Sequence, residues 1–238
     1  MTPALLLHGI GGRAWLWAPS VAALAPRPII AFEMPGYDGA SRALTNFADL
    51  ADAAVAAMGD APHFDIVGHS SGGMLALEIA LRHPARVRRL VIAASSPAFG
   101  SRDTAFREAF LAARQKPLDE GLGMAGVARA LVPGMLGPRA DTGVAPAAIA
   151  AMASVDEAAY RATLVLLTSF DRRAELPSVA QPALLIAGEA DGTAPPRGMA
   201  RMAKAMPDAR LLVIPDVGHL LPLEAPIAFH AALLDFLA

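Results

Sequence analysis

Six short apolar runs, none alternating with polar residues, constrain this chain more than any other feature. They are Ala4–Leu7, Ile29–Phe32, Asp65–Val67, Val87–Ile92, Ala183–Ala187 and Arg210–Ile214. A strand with one wet face alternates apolar and polar side chains, so unbroken runs imply strands buried on both faces. Stretches of helical periodicity separate them: Trp15–Leu24, Phe47–Met58, Gly72–Arg82, Pro196–Met206 and Ile227–Leu237. The third ends before Pro84, and the last two carry a proline at or just before their start, where each residue type belongs. Strand and helix in alternation predict an α/β protein, its mostly parallel sheet flanked by helices.

The rhythm breaks in the middle of the chain. From about Pro97 to Pro182 no strand pattern occurs, and helical patterns fill the gap at Asp103–Arg114, Met124–Leu131, Pro146–Met152 and Glu157–Phe170. Gly and Pro punctuate them. Because strands resume afterwards, residues 97–182 are expected to be a helical insertion. The core is then 1–96 and 183–238.

Composition narrows the function classes. Of the 238 residues 55% are hydrophobic and 18% charged, enough apolar material for a buried core. The formal net charge is −2 with no basic block, so no nucleic acid or anionic membrane is expected as partner. There is no cysteine, which removes disulfides, thiolate catalysis and Cys-based zinc sites. Met1–Leu7 is short and uncharged for a signal peptide, and no apolar run approaches the roughly 20 residues of a membrane span. The expected location is the cytoplasm.

Chemistry concentrates at strand ends. Phe64-Asp65-Ile66-Val67 leads into Gly68-His69-Ser70-Ser71-Gly72, and an apolar helix pattern follows at once. A serine at the apex of such a turn adopts a strained backbone, and glycines at the flanks avoid collision with the adjoining strand and helix. Its hydroxyl then stands clear of the sheet beside a helix N-terminus. Ser70 is the candidate nucleophile. Ser71 is expected to cap the helix with its side chain and to offer its backbone N–H to substrate. The loop His8-Gly9-Ile10-Gly11-Gly12 follows the first strand, and its glycines allow a close backbone approach. Acyl transfer needs two donors aimed at the developing oxyanion. The expected pair is the N–H of Ile10 and that of Ser71. No Walker lysine follows, so a phosphate loop is disfavoured. His8, at the end of a buried strand, is expected to brace the loop.

A serine hydroxyl needs a neutral imidazole to take its proton. Of six histidines, His63 precedes a strand, His83 ends a helix, His230 lies within one, and His69 sits in the turn facing away from the serine. His8 is the expected brace of its loop, and His219 follows a strand in a loop, beyond the strand's C-terminal end, where open α/β sheets bind ligands. The acid is expected after another strand, between serine and histidine in chain order. Gly188-Glu189-Ala190-Asp191-Gly192 offers two carboxylates, and Asp191 is preferred for its deeper place in the turn beside Gly192. Asp216, three residues before His219, is poorly placed to reach the ring.

These motifs resemble the α/β-hydrolase superfamily along essentially the whole chain. His8-Gly9 looks like its oxyanion loop, Gly68–Gly73 like its nucleophile elbow, and Arg82–Ile92 like the segment after the elbow helix. The insertion sits where the family carries its helical cap. Ala187–Pro196 and the run from Pro207 to Pro226 resemble 3-oxoadipate enol-lactonases and neighbouring esterases. The resemblance implies a small-molecule ester or lactone, cleaved through an acyl-enzyme on Ser70, His219 and Asp191, without metal or cofactor. A carbon–carbon bond hydrolase, a cofactor-free oxygenase or perhydrolase, and a silent ligand receptor remain alternatives on that scaffold. Family members usually begin with two strands before this loop. Ile29–Phe32 is therefore expected at an exposed sheet edge, a pairing liability.

Overall fold

The computed structural model describes residues 1–39, 46–99 and 104–238. Its strands are β1 (Ala4–Leu7), β2 (Ile29–Phe32), β3 (Phe64–His69), β4 (Val87–Ala93), β5 (Ala183–Gly188) and β6 (Ala209–Ile214). They form one sheet in the order β2-β1-β3-β4-β5-β6, every pair parallel. The six apolar runs all became strands; those of β1, β3, β4 and β5 have a core on either side, whereas β6, at the sheet edge, leaves Leu212 and Val213 exposed. Leu5, Leu7, Ile66, Leu90, Ile92, Leu185 and Ala187 enter one apolar cluster. Leu6, Val67, Val91, Leu184 and Ile186 enter the other. This is the period of two expected of a pleated strand.

The first cluster is closed by α2 (Phe47–Ala56), α3 (Ser71–Arg82) and α8 (Pro196–Ala205). The second is closed by Trp17, Leu24 and the buried face of α10 (Pro226–Leu237), with Phe229, Leu233 and Leu237. The helix expected over Trp15–Leu24 is split into a 3-10 turn, Ala14–Trp17, and α1 (Ala18–Ala23). Pro19 has no N–H to give the Trp15 carbonyl, so the α-helical ladder starts afresh with proline in its first turn.

Between β4 and β5 lie α4 (Thr104–Asp119), α5 (Gly123–Leu131), α6 (Val144–Ala153) and α7 (Glu157–Thr168). Their buried residues, among them Val127, Met152 and Leu164, join the first cluster. α4 continues past the expected end at Arg114 and through Pro117, because Leu118 turns into the core. Asp103, the expected first residue of that helix, lies outside the described residues.

β2 is an edge strand, and both its faces are partly covered. Ile30 and Phe32 pack on the first cluster, Ile29 and Ala31 on the second. Among the described residues only its outer backbone edge lacks a strand neighbour. Buried Asp65, on β3, anchors the opposite end of the sheet from the Ser70 turn. It accepts from Arg27 at 2.5 Å and from Arg88 at 2.7 and 2.8 Å, and both arginines also donate to the Leu237 carbonyl. Among the described residues no helix is long and apolar enough to cross a membrane.

The topology dictates where chemistry can occur. From β1 the chain passes to β2 on one side, and it later enters β3 on the other. The loops after β1 and β3 thus diverge from neighbouring strands, which opens a crevice at their C-terminal ends. Leu7 pairs with Gly68, so His8–Gly12 and Ser70 leave the sheet side by side.

Candidate active site

The turn after β3 holds Ser70 at φ 55°, ψ −121°. Few non-glycine residues adopt a positive φ, and the strain, on the order of 1–3 kcal/mol, persists only where surroundings enforce it. Here the Ser70 N–H donates to the Ala93 carbonyl at 2.9 Å, and the Ser95 hydroxyl donates to the Ser70 carbonyl at 2.6 Å. The flanking glycines are steric necessities. A Cβ on Gly68 would strike the Gly72 carbonyl, and one on Gly72 the Leu7 carbonyl.

Ser71 departs from expectation. It is the first residue of α3, and its hydroxyl is buried without a hydrogen-bond partner. The capping position belongs to Ser70, which makes no side-chain cap, so Ser71 is already helical when the chain turns inward. Its N–H belongs to the first helical turn, where amides have no intrahelical acceptor.

The Ser70 hydroxyl oxygen lies 2.9 Å from His219 Nε2, and His219 Nδ1 lies 2.8 Å from Asp191 Oδ2. His219 and Asp191 are nearly buried, at 4% and 3% exposure. The other Asp191 oxygen, Oδ1, accepts from the Thr193 and Ala194 amides at 2.7 and 2.9 Å. Burial pushes the Asp191 pKa up, but the His219 bond and charge and those two amides outweigh it, and the net shift is downward. An ionised Asp191 accepts a hydrogen bond from Nδ1–H. Nε2 is then the basic nitrogen, facing the Ser70 hydroxyl.

The competing carboxylates have other work. Glu189 accepts from the Asp216 amide at 3.1 Å, and Asp216 stands 3.3 Å from Arg139. His63, His83 and His230 bind Ala85, Asp52 and Ser20 respectively. His8 braces its loop: Nδ1 lies 2.9 Å from the Gly9 carbonyl, and Nε2 lies 3.0 Å from Glu33 Oε1 and 3.2 Å from the Met34 amide.

Two supports of His219 were not identified from sequence. The His69 Nε2–H donates to the His219 carbonyl at 2.7 Å. Burial first, then the His219 charge, bring the His69 pKa down to about 4, so it stays neutral. Glu224, closing the short helix α9 (Leu221–Glu224), accepts from the amides of Gly218 and Leu220 at 3.0 and 2.8 Å. It also accepts from Gly137 at 2.7 Å, while the His219 amide donates to the Met135 carbonyl at 2.7 Å. The loop bearing the imidazole is thereby tied to the segment between α5 and α6. A lone carboxylate in the apolar run Leu220-Leu221-Pro222-Leu223-Glu224 was the only sequence sign of it.

Ser70 and His219 open into a cavity of about 540 Å³, which Ile10 and Ser71 also line. Sheet side and helical segment both contribute to its walls, and most of its side chains are apolar. A serine hydroxyl, an imidazole and a carboxylate in line, at the mouth of a largely apolar pocket beside a helix start, are the kinds of group an acyl-transfer site requires.

Comparison with known proteins gives the family. A family model described as the alpha/beta hydrolase family matches residues 4–232. A pimeloyl-(acyl-carrier protein) methyl ester esterase of Yersinia enterocolitica is 32% identical over 241 residues, 98% of this chain and 92% of that protein. The dihydrolipoyllysine-residue acetyltransferase component of the acetoin cleaving system of Pseudomonas putida is 30% identical over 251 residues, 99% of this chain. The chain spans 63% of that longer protein. The crystal structure of the enol-lactonase from Burkholderia xenovorans superposes with a TM-score of 0.87 at 26% identity, covering 100% of this chain and 92% of that one. With a sheet, a turn and a site of this form, the chain belongs to the alpha/beta hydrolase family.

Proposed function

We propose that the chain is a serine hydrolase that cleaves a carboxylic ester or lactone of a small molecule through an acyl-enzyme on Ser70. The observation that carries this is the line from Ser70 Oγ to His219 Nε2 at 2.9 Å and from His219 Nδ1 to Asp191 at 2.8 Å, with the serine on a strained turn. Ser70 attacks the carbonyl carbon as His219 takes its proton. Asp191 keeps the ring in the useful tautomer and stabilises the imidazolium. The N–H groups of Ile10 and Ser71 receive the oxyanion, an arrangement whose single donors are worth about 3–4 kcal/mol in comparable enzymes. His219 then protonates the leaving alcohol, and water activated by the same imidazole clears the acyl group.

Residues 97–182 act in this scheme as a cap that walls the pocket and keeps water from it. An ester is preferred to a diketone because the Yersinia relative, which this chain matches almost end to end, is named for methyl ester cleavage. A fluorophosphonate probe tests the scheme. Labelling of wild type and of Ser169→Ala, a serine at the C-terminal end of α7 whose hydroxyl donates to the Leu166 carbonyl, with loss in Ser70→Ala, is the expected result. Wild-type protein that takes up no probe and turns over neither short p-nitrophenyl esters nor a lactone overturns it.

A further inference from the structure

Arg114 is anomalous in its setting. Among the described residues lining the cavity it is the only one with a permanent charge; no Asp, Glu or Lys lines it. The half-buried side chain projects from α4, its guanidinium carbon 3.7 Å from the centre of the Phe110 ring. Phe110 meets Phe99 edge-on at 4.7 Å, so the cation sits on an aromatic wall. Several other arginines have carboxylates: Arg172 has Glu78, Arg161 has Asp119 and Glu157, and Arg13 has Glu33, whereas Arg86, outside the cavity, donates to the Gly59 carbonyl. Among the described residues Arg114 has none. Burial lowers its pKa, and only Tyr160 acts in the opposite sense.

A guanidinium withdrawn from water without a counter-charge is costly to keep. Stacking on Phe110 offsets part of that cost and leaves the planar edge of the group available. That edge presents parallel N–H donors matched to a carboxylate, and an apolar surrounding strengthens the pairing. Ser70 lines the cavity from the sheet and Arg114 from the helical segment, with apolar side chains making up most of the wall.

We propose that Arg114 receives a carboxylate carried by the substrate, and that the substrate is an ester or lactone whose anionic group is separated from the scissile carbonyl by a hydrocarbon spacer. The proposal rests on the ester-hydrolase reading of the same cavity.

The test is a series of p-nitrophenyl half-esters of linear dicarboxylic acids, succinate to sebacate, each paired with its methyl-capped neutral counterpart. At the best chain length the free acid is expected to exceed its capped partner in kcat/KM by about 10- to 100-fold, the worth of a charged hydrogen-bonded contact, mostly through KM. Arg114→Met is expected to bring that ratio to about one, and Arg114→Lys to retain part of it. Arg114→Glu should favour a spacer ending in an ammonium group. A wild-type ratio near one at every length, or a ratio that survives in Arg114→Met, overturns the proposal. If wild type turns over no ester at all, the hydrolase reading fails instead. Calorimetric binding of monomethyl suberate against dimethyl suberate to Ser70→Ala then decides the Arg114 subsite separately. A preference for the anion that Arg114→Met removes supports it, and equal binding refutes it.

Discussion

Replacing Glu224 by glutamine removes one oxygen acceptor from a carboxylate that holds three amides. Oε2 accepts from Gly137 at 2.7 Å and Gly218 at 3.0 Å, and Oε1 accepts from Leu220 at 2.8 Å. In the better orientation of the new amide, its oxygen keeps the first two and its NH2 group meets the Leu220 N–H, donor against donor. One orphaned buried donor costs about 1–3 kcal/mol, and the two remaining bonds lose the assistance of the charge, which roughly halves them. The total is about 2–4 kcal/mol, placed on the two residues that flank His219. For a chain of this size that lowers the thermal midpoint by roughly 5–10 °C. The larger effect is kinetic. A catalytic group displaced by about 1 Å can lose on the order of 100-fold in rate, so Glu224→Gln is expected to reduce kcat by about 10- to 100-fold with KM nearly unchanged. The assay is p-nitrophenyl ester turnover well below the variant's melting temperature, beside a melting curve. A variant that melts earlier yet keeps wild-type kcat would refute the reasoning, since Glu224 would then stabilise the fold without positioning the imidazole.

The remaining expectations concern stability. Asp65→Asn leaves the Arg27 and Arg88 guanidiniums without their buried counter-charge, at about 3–5 kcal/mol. Urea titration should show that loss, and an unchanged midpoint would contradict it. His69 adds a pH dependence. Its folded pKa of about 4 lies below the ordinary 6.5, so between those values the unfolded chain takes a proton the folded chain refuses. Stability from this group is full above about pH 6.5 and falls as the pH drops toward 4, by about 3 kcal/mol in all. Denaturant midpoints at pH 7, 5.5 and 4.5 measure the slope. His69→Gln should flatten it, and an equal slope in that variant assigns the loss to other groups.

Sheet and elbow were legible in the sequence because their causes are local. A strand covered on both faces is mostly apolar, and the turn after β3 admits only glycine at positions 68 and 72 for reasons a few residues wide. The approach of Ser70, His219 and Asp191 was legible too, since chain order and strand ends restrict where such side chains can meet. What stayed hidden depends on partners distant in sequence. Glu224 binds Gly137 and Asp65 binds Arg27, and neither pairing has a spacing signal. Arg114 is notable only for the carboxylate missing beside it, which no local pattern records. The expectation that Ser71 caps α3 misplaced the helix start by one residue, and one residue decides whether a serine caps or merely begins a helix.

The most direct measurement is the site of acylation itself. A p-nitrophenyl ester mixed with enzyme, quenched in acid within the first turnover and digested, should place the acyl mass on the peptide containing Ser70. Steady ester turnover with no acyl adduct, or with the adduct on another side chain, would contradict a nucleophilic Ser70.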